Sequence, residues 1–535
     1  MPEAETIASQ FTRWDWLVVF GYLFLTTWIG HRLSGKNATI REFFLGGRSL
    51  PWWAVSGSMI ATEISALTFI GVPGMVYALH GDWTYLQWGI GSVIARFAVA
   101  WWLVPLYYKQ EIYSPYDFMG ARLGEPVRKL VTGLFSIGAI LGQSVRVLVT
   151  AIILQTVTGF SATACIIIIG VFAVIWTLMG GMRTVIWTDV VQFCLFILGG
   201  LLALGWLVGT LGIDGILTLN SAAGPDGEVD KLRVFNLTPP WESPLMSYTL
   251  WVAILAMPFQ NFTAFGTDQL NTQRIFCCGS AREARKAVAW SSVSLIITVL
   301  MLAVGAGLYA WYLQTAPTDA EAAWFAKDTN YVFPIWITTV LPVGLSGLIL
   351  AAAFAAAITS LDSILAALSQ TSLSAWYGRE RLEREADGRA MVFRSRVAVV
   401  VWAMILTAFA LMLTEGYQSE EPGADSKNLI NLAFGILTYT YGPLLGVLLA
   451  AIIPGQRNIP GLFIGVGLSI LGVALIRPEL PQLLNFLGVA GAEDVLSRIR
   501  PGIAFPWLFP INAAITLAFA FMPRLGGPAS LRNGE

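Results

Sequence analysis

The sequence predicts an all-α polytopic membrane protein, and three observations carry that prediction. Of its 535 residues, 56% are hydrophobic and only 12% charged, with a mean hydropathy of +0.68, a balance that no ordinary soluble multidomain chain has. Apolar runs repeatedly reach the roughly 20 residues that cross about 30 Å of hydrocarbon as helix. Alternating ten-residue strand patterns are absent, which argues against a transmembrane β-barrel. The net charge of −1 says nothing about partners, and no basic patch points to nucleic acid.

In chain order, about thirteen spans are expected, near 14–33, 52–78, 83–107, 128–158, 161–180, 187–211, 247–272, 285–314, 334–375, 395–414, 429–453, 459–477 and 504–523. The first follows MPEAETIASQFTRW, which has two acids and no basic cluster, so it reads as a retained helix and not as a cleaved signal peptide. The second contains MIATEISALTFIG, bracketed by Gly57, Gly71, Pro73 and Gly74. Such bracketing predicts a kinked or unwound helix whose freed carbonyls can coordinate a cation. The third and fourth spans carry Arg96 and Arg146, and the sixth has Asp189 near its start. The ninth, LILAAAFAAAITSLDSILAALSQTSLS, opens on a small-residue run, Ala351 to Ala357, suited to helix packing. Thr359, Ser360, Asp362 and Ser363 follow within about one turn. The remaining spans rest on apolar length alone.

The loops between these spans alternate sides. Most of the 32 basic residues fall on one side, among them Arg274, Arg282, Arg285, Lys286 and the cluster from Arg379 to Arg396. The other side holds Arg13, Lys231, Arg233, Lys327, Lys427, Arg477, Arg498 and Arg500. The positive-inside rule then puts the N-terminus outside and the C-terminus inside. The outside loop GPDGEVDKLRVFNLTPPWESP is Pro/Gly-rich, mildly acidic and too short for a folded domain, so function must lie among the helices. Only His31 and His80 are present, both at span ends, so an embedded enzyme would lack a metal cluster or a nucleophile with its base. Cys165 and Cys194 fall inside apolar helices. Cys277 and Cys278 are adjacent in a basic loop placed on the cytoplasmic side, and no disulfide or zinc framework is suggested.

With the span ends set aside, five ionisable residues stay inside the spans: Glu63, Arg96, Arg146, Asp189 and Asp362. A charge at mid-bilayer costs roughly 2.5–3.5 kcal/mol on insertion scales, which makes each a functional candidate. Arg96 reads equally as a packing ion pair or as a side chain snorkelling to the interface. Thr359, Ser360, Asp362 and Ser363 concentrate hard oxygen ligands and suit a small alkali cation, or they are hydroxyls back-bonded within a packing helix.

Four segments taken together, ATEISALTFIGVPGMVYALHGDW, MGGMRTVIWTDVVQF, TDQLNTQRIF followed by SAREARKA, and AAAFAAAITSLDS, resemble the sodium:solute symporter family over about residues 14–525. The resemblance implies a LeuT-type fold, with one five-helix repeat at 52–211, an inverted copy at 247–453, an extra N-terminal helix at 14–33 and two C-terminal helices at 459–523. It implies a first sodium held by the carbonyls of Ala61, Ile64 and Ala356 and the hydroxyls of Thr359 and Ser360. A second sodium is implied at Asp189, Asp362 and Ser363, with aspartate at 362 where the family usually has hydroxyls. In the sialic acid branch, substrate positions match Glu63, Ser65, Thr68, Arg146 and the stretch from Tyr85 to Gly89. Arg146 there aligns with the arginine that grips a carboxylate, a task the guanidinium fork suits. Glu63 stands where that branch has a hydroxyl, and the branch's glutamine falls at Gly89, with Gln87 two residues away. Asn261 matches a sugar-contacting position in the galactose branch, or is an interhelical hydrogen bond.

These readings predict sodium-coupled import of a small polar organic solute, carboxylate-bearing like sialic acid, through a multi-pass protein of the bacterial inner membrane that needs no obligate protein partner. A neutral sugar, polyol or amino acid, with Arg146 paired to Glu63, is the alternative within the class. A sodium channel or sensor on the same fold is the alternative outside it.

Overall fold

The apolar runs expected to cross the bilayer fold as helices, and where they break, the break has a local chemical cause. The computed structural model describes residues 11–33, 45–110, 112, 114–178, 182–221, 230–377, 389–419, 428–477 and 502–523, without the side chains of 31, 33, 176, 356–360, 389–392 and 415–419. Within that set the helices are α1 (Arg13–Leu33), α2 (Trp52–Glu63), α3 (Leu67–Tyr77), α4 (Thr84–Tyr108), α5 (Pro115–Leu123), α6 (Glu125–Thr158), α7 (Ala162–Thr177), α8 (Met182–Leu211) and α9 (Ile213–Ser221). There follow α10 (Leu250–Gly266), α11 (Gln269–Ile275), α12 (Ala281–Gln314), α13 (Asp319–Lys327), α14 (Val332–Thr339), α15 (Leu345–Tyr377), α16 (Arg389–Ser419), α17 (Leu429–Ile452), α18 (Ile459–Ile476) and α19 (Phe505–Phe521). The only extended pairing among the described residues is a bridge between Leu50 and Cys278. Among the described residues seven helices are long and apolar enough to cross a membrane, and the bent pair α2 and α3, taken as one span, makes an eighth.

The second expected span is broken as its glycines and proline foretell. α2 stops because Ile64 turns extended (φ −80°, ψ 105°). The chain resumes as a π-helical turn, Leu67–Gly71, before Val72–Tyr77 with Pro73 in its first turn. The two halves are bent by 58°. The Thr62 carbonyl, released from the helix ladder, accepts from Arg146 at 3.1 Å, and no backbone N–H of the described residues reaches the carbonyls of Ala61 or Ile64.

The expected single span 334–375 is two helices. Pro342 and Gly344, whose φ of 88° only glycine adopts without strain, turn the chain between α14 and α15. The exposed N-terminus of α15 is then capped from another helix. Asp15 of α1, fully buried, accepts from the N–H groups of Gly344 (2.7 Å) and Gly347 (3.0 Å) and from the Ser346 hydroxyl (2.7 Å). The span 247–272 also divides: α10 ends at Gly266, and Asp268 caps the short α11 by accepting from Leu270 N–H at 2.8 Å. SAREARKA opens α12 instead of forming a loop, with Ser280 as its N-cap and Ala284, Ala287 and Val288 buried beneath Arg282 and Lys286.

Two basic residues assigned to loops are buried. Arg274 turns inward from α11, and Lys231 packs against the end of α3. Lys231 Nζ donates to the carbonyls of Val76 (2.8 Å), Ala78 (2.6 Å) and Gly81 (3.2 Å) and lies 4.2 Å from the Tyr309 ring. It thereby satisfies carbonyls that the helix end leaves open.

Around α2 pack α8, α11, α12 and α15, while α6 packs on both α15 and α17. Two large apolar clusters meet along these helices, one containing Met59, Val99 and Cys277, the other Ile60, Phe69 and Trp336.

Candidate solute and cation sites

The break in α2 opens one wall of a cleft enclosing about 770 Å³ of empty space. Five of the residues expected to contact the solute line it together: Glu63, Thr68, Tyr85, Arg146 and Asn261. Hydroxyls not foreseen, Ser92 on α4 and Ser294 and Thr298 on α12, join them, with Trp88, Leu295 and Phe434 as apolar walls.

Two expected contacts are elsewhere. Ser65 is buried, and its Oγ accepts from Leu67 N–H at 3.2 Å, so it shapes the break. Gln87 is turned to the segment preceding α10: its Oε1 accepts from Asn236 N–H (3.1 Å) and its Nε2 donates to the Thr84 carbonyl (3.1 Å). Gly89 faces the cleft in its stead, and a Cβ there would sit 2.3 Å from Leu295 Cδ2. Helix packing has taken the room a side chain would need. Asn261 lines the cleft while Nδ2 donates to the Met257 carbonyl at 3.0 Å, within its own helix.

The pairing of charges decides between the readings left open. Glu63 is bridged to Arg96, not to Arg146. Arg96 is buried and held further by the Ser291 carbonyl, by Ser294 Oγ at 3.1 Å and by the Phe265 ring at 4.3 Å. It is thus a packing ion pair and does not snorkel. Arg146 has no carboxylate partner among the described residues; its one side-chain bond is to the Thr62 carbonyl. Asp268 lies within electrostatic reach of it, but accepts from Tyr441 OH at 2.6 Å and does not line the cleft.

A second polar cluster joins α2, α8, α11 and α15. Asp189, Asp362 and Ser363 come together as expected, but around Arg274, whose guanidinium donates to Asp189 Oδ2 (2.9 Å), Ser363 Oγ (2.8 Å), Ser58 Oγ (2.7 Å) and the Leu270 carbonyl (2.7 Å). Ser58 also donates to Asp189, and Ser363 donates to Asp362 at 3.1 Å. Asp189 Oδ1 is buried without a hydrogen-bond partner among the described residues. Counting Arg274 as a loop charge concealed its place here. The signal available was the need of two buried carboxylates for a cation.

The residues expected to hold the first cation are Ala61 and Ile64, both buried, through their carbonyls, with Ala356, Thr359 and Ser360. These last three belong to α15, and their side chains lie outside the described residues.

The model of the sodium:solute symporter family matches residues 43–467. The chain belongs to the sodium:solute symporter family. The symporter is 27% identical over 483 residues to a sodium/sialic acid symporter of Proteus mirabilis, covering 90% of this chain and 93% of that one. It is 28% identical over 402 residues to a sodium/glucose cotransporter of Vibrio parahaemolyticus, covering 72% of each. Its fold is that of a sodium-coupled sialic acid symporter solved substrate-bound and outward-open: TM-score 0.76, 24% identity, 95% of this chain and 97% of that one. The symporter is therefore a secondary transporter and not an enzyme, and sodium is its coupling ion.

The residues present suit sodium. Hard oxygens, carbonyl and carboxylate, are gathered at the α2 break and in the Arg274 cluster, the ligand type that suits a small alkali cation.

Proposed function

We propose that this symporter imports a hydroxylated monocarboxylate, sialic acid or a related sugar acid, by alternating access. The observation that carries this reading is Arg146, a guanidinium facing the cleft with no carboxylate partner among the described residues. A solute carboxylate completes it with charge-assisted, bidentate bonds. A neutral sugar leaves it unpaired, which weighs against the glucose-like reading that the Vibrio relative invites. Sodium binds first, at the Ala61 and Ile64 carbonyls with Ala356, Thr359 and Ser360, and favours the outward-open state. Closure around Glu63, Thr68, Tyr85, Arg146 and Asn261 and inward opening then release both.

A second sodium at Asp189, Asp362 and Ser363 is part of the proposal. Arg274 is bridged to Asp189 alone, so two buried carboxylates, Asp189 and Asp362, lie in a cluster with one guanidinium, and Asp189 Oδ1, which has no partner among the described residues, supports a place for one more monovalent cation. The thirteen spans, the repeats at 52–211 and 247–453, the outside N-terminus and a place in a bacterial inner membrane belong to the same reading. The test is equilibrium binding to purified protein, with and without sodium, of N-acetylneuraminate, gluconate and glucose. Sodium-dependent binding of an acid but not of glucose supports it, and preference for glucose overturns it.

A further inference from the structure

Each guanidinium in and around the cleft has a carboxylate to balance it. Glu63 bridges Arg96, and Asp189 bridges Arg274. Arg146 makes no ion-pair contact among the described residues, yet Asp268 and Tyr441 both lie within its electrostatic reach. Tyr441 OH donates to Asp268 Oδ2 at 2.6 Å, and its helix, α17, packs against α6, which carries Arg146, and against α10, which Asp268 follows. Asp268 is 8% exposed, and its other side-chain bond comes from Leu270 N–H at 2.8 Å. Both donors are neutral. The positive charge that answers this buried carboxylate therefore comes from Arg146 on one side and Arg274 on the other.

The balance works against an anionic solute. A carboxylate that engages Arg146 has to share it with Asp268, a like charge fixed in the protein, and brings in a negative charge for which no spare cation is present. Asp362, buried in the Arg274 cluster, offers no relief. Sodium does. A cation at the Ala61 and Ile64 carbonyls, or beside Asp189 and Asp362, supplies the positive charge that the solute lacks. Were Asp268 uncharged, Arg146 would hold an anion without sodium, and the solute would cross uncoupled.

We propose that Asp268 makes solute binding depend on sodium, its carboxylate keeping the affinity of Arg146 for an anion low until a cation is bound. Asp268 does not line the cleft, so it acts through Arg146 and not on the solute. This rests on the reading of Arg146 as the carboxylate anchor.

The test is equilibrium binding of N-acetylneuraminate to the purified protein, in saturating sodium and with sodium replaced by choline, for wild type, Asp268→Asn, Arg146→Gln and the double variant. Asparagine still caps α11, and its amide donates to Tyr441 OH, so the substitution removes little besides the charge. Asp268→Asn is expected to bind in choline about tenfold or more tighter than the wild type, and the gain is expected to vanish in the double variant. A purely structural Asp268 gives no gain. Wild-type binding indifferent to sodium, an affinity in choline unchanged or lowered by Asp268→Asn, or a gain that survives Arg146→Gln overturns the proposal. Should Asp268→Asn fail to fold, Asp268→Ser, a cap without charge, decides in its place. The two readings separate in sodium: no binding by the wild type, or an affinity unmoved in Arg146→Gln, sinks the anchor and the proposal with it. A loss of affinity in Arg146→Gln with no gain in Asp268→Asn sinks only the role of Asp268.

Discussion

Arg146 is the charge around which the solute site is built. Replacing it with glutamine removes charge-assisted bonds worth roughly 1.5–3 kcal/mol, so affinity for a carboxylate solute should fall about 10- to 100-fold while any neutral sugar is little affected. Titration calorimetry on the purified variant checks this. Lys231 offers a prediction of another kind. Burial pulls its ammonium down to about 8, so between about pH 8 and the ordinary lysine value near 10.4 the unfolded chain holds more protons than the folded one. Stability therefore gains from this residue as pH rises through that window. The thermal midpoint of the wild type relative to Lys231→Met should increase from pH 8 to pH 10, and a flat difference would remove the buried ammonium from the explanation. Single residues were partly legible in advance: five ionisable groups stood out because their span is hydrocarbon. Their partners did not, since Arg96 meets Glu63, and Arg274 meets Asp189, only through the rotation of one helix about another.

At the scale of elements, breaks matter more than helices. The interruption of α2 was readable because Gly71, Pro73 and Gly74 punctuate it, and the interruption before α15 was missed although Pro342 and Gly344 are equally plain. A long apolar stretch outweighed them. The inward turn of α11 depends on Asp268 acting as an N-cap, a signal short enough to be hidden in an apolar run. α11 delivers Arg274 to Asp189, and removing one member of a buried pair costs about 3–5 kcal/mol. Arg274→Gln should accordingly lower the denaturation midpoint in detergent by several degrees, and added sodium should recover part of it if the cluster takes a cation. Asp15 ties α1 to the N-terminus of α15, the helix that carries Thr359, Ser360 and Asp362. Its replacement by alanine strips the cap from three donors and should cost on the order of 1–2 kcal/mol, read as a lower thermal midpoint and weaker apparent sodium affinity.

At the scale of the whole molecule, the number of sodium ions decides what the transporter can accomplish. With about 100 mV and a tenfold sodium gradient, each ion brings roughly 2.3 kcal/mol electrically and 1.4 chemically. One sodium with a monoanion is electroneutral and leaves about 1.4 kcal/mol, tenfold accumulation. Two leave about 5.1 kcal/mol, several thousandfold. The helical membrane class and the family were legible from composition and four motifs. Charge pairing was not, because it is a property of how α2, α4, α6 and α11 face one another. Uptake of labelled N-acetylneuraminate into proteoliposomes, with and without an inward sodium gradient and with wild type beside Arg146→Gln, tests the central claim most directly. Accumulation that requires the gradient and is lost in Arg146→Gln is the expected result. Uptake indifferent to sodium, or undiminished in Arg146→Gln, would contradict it.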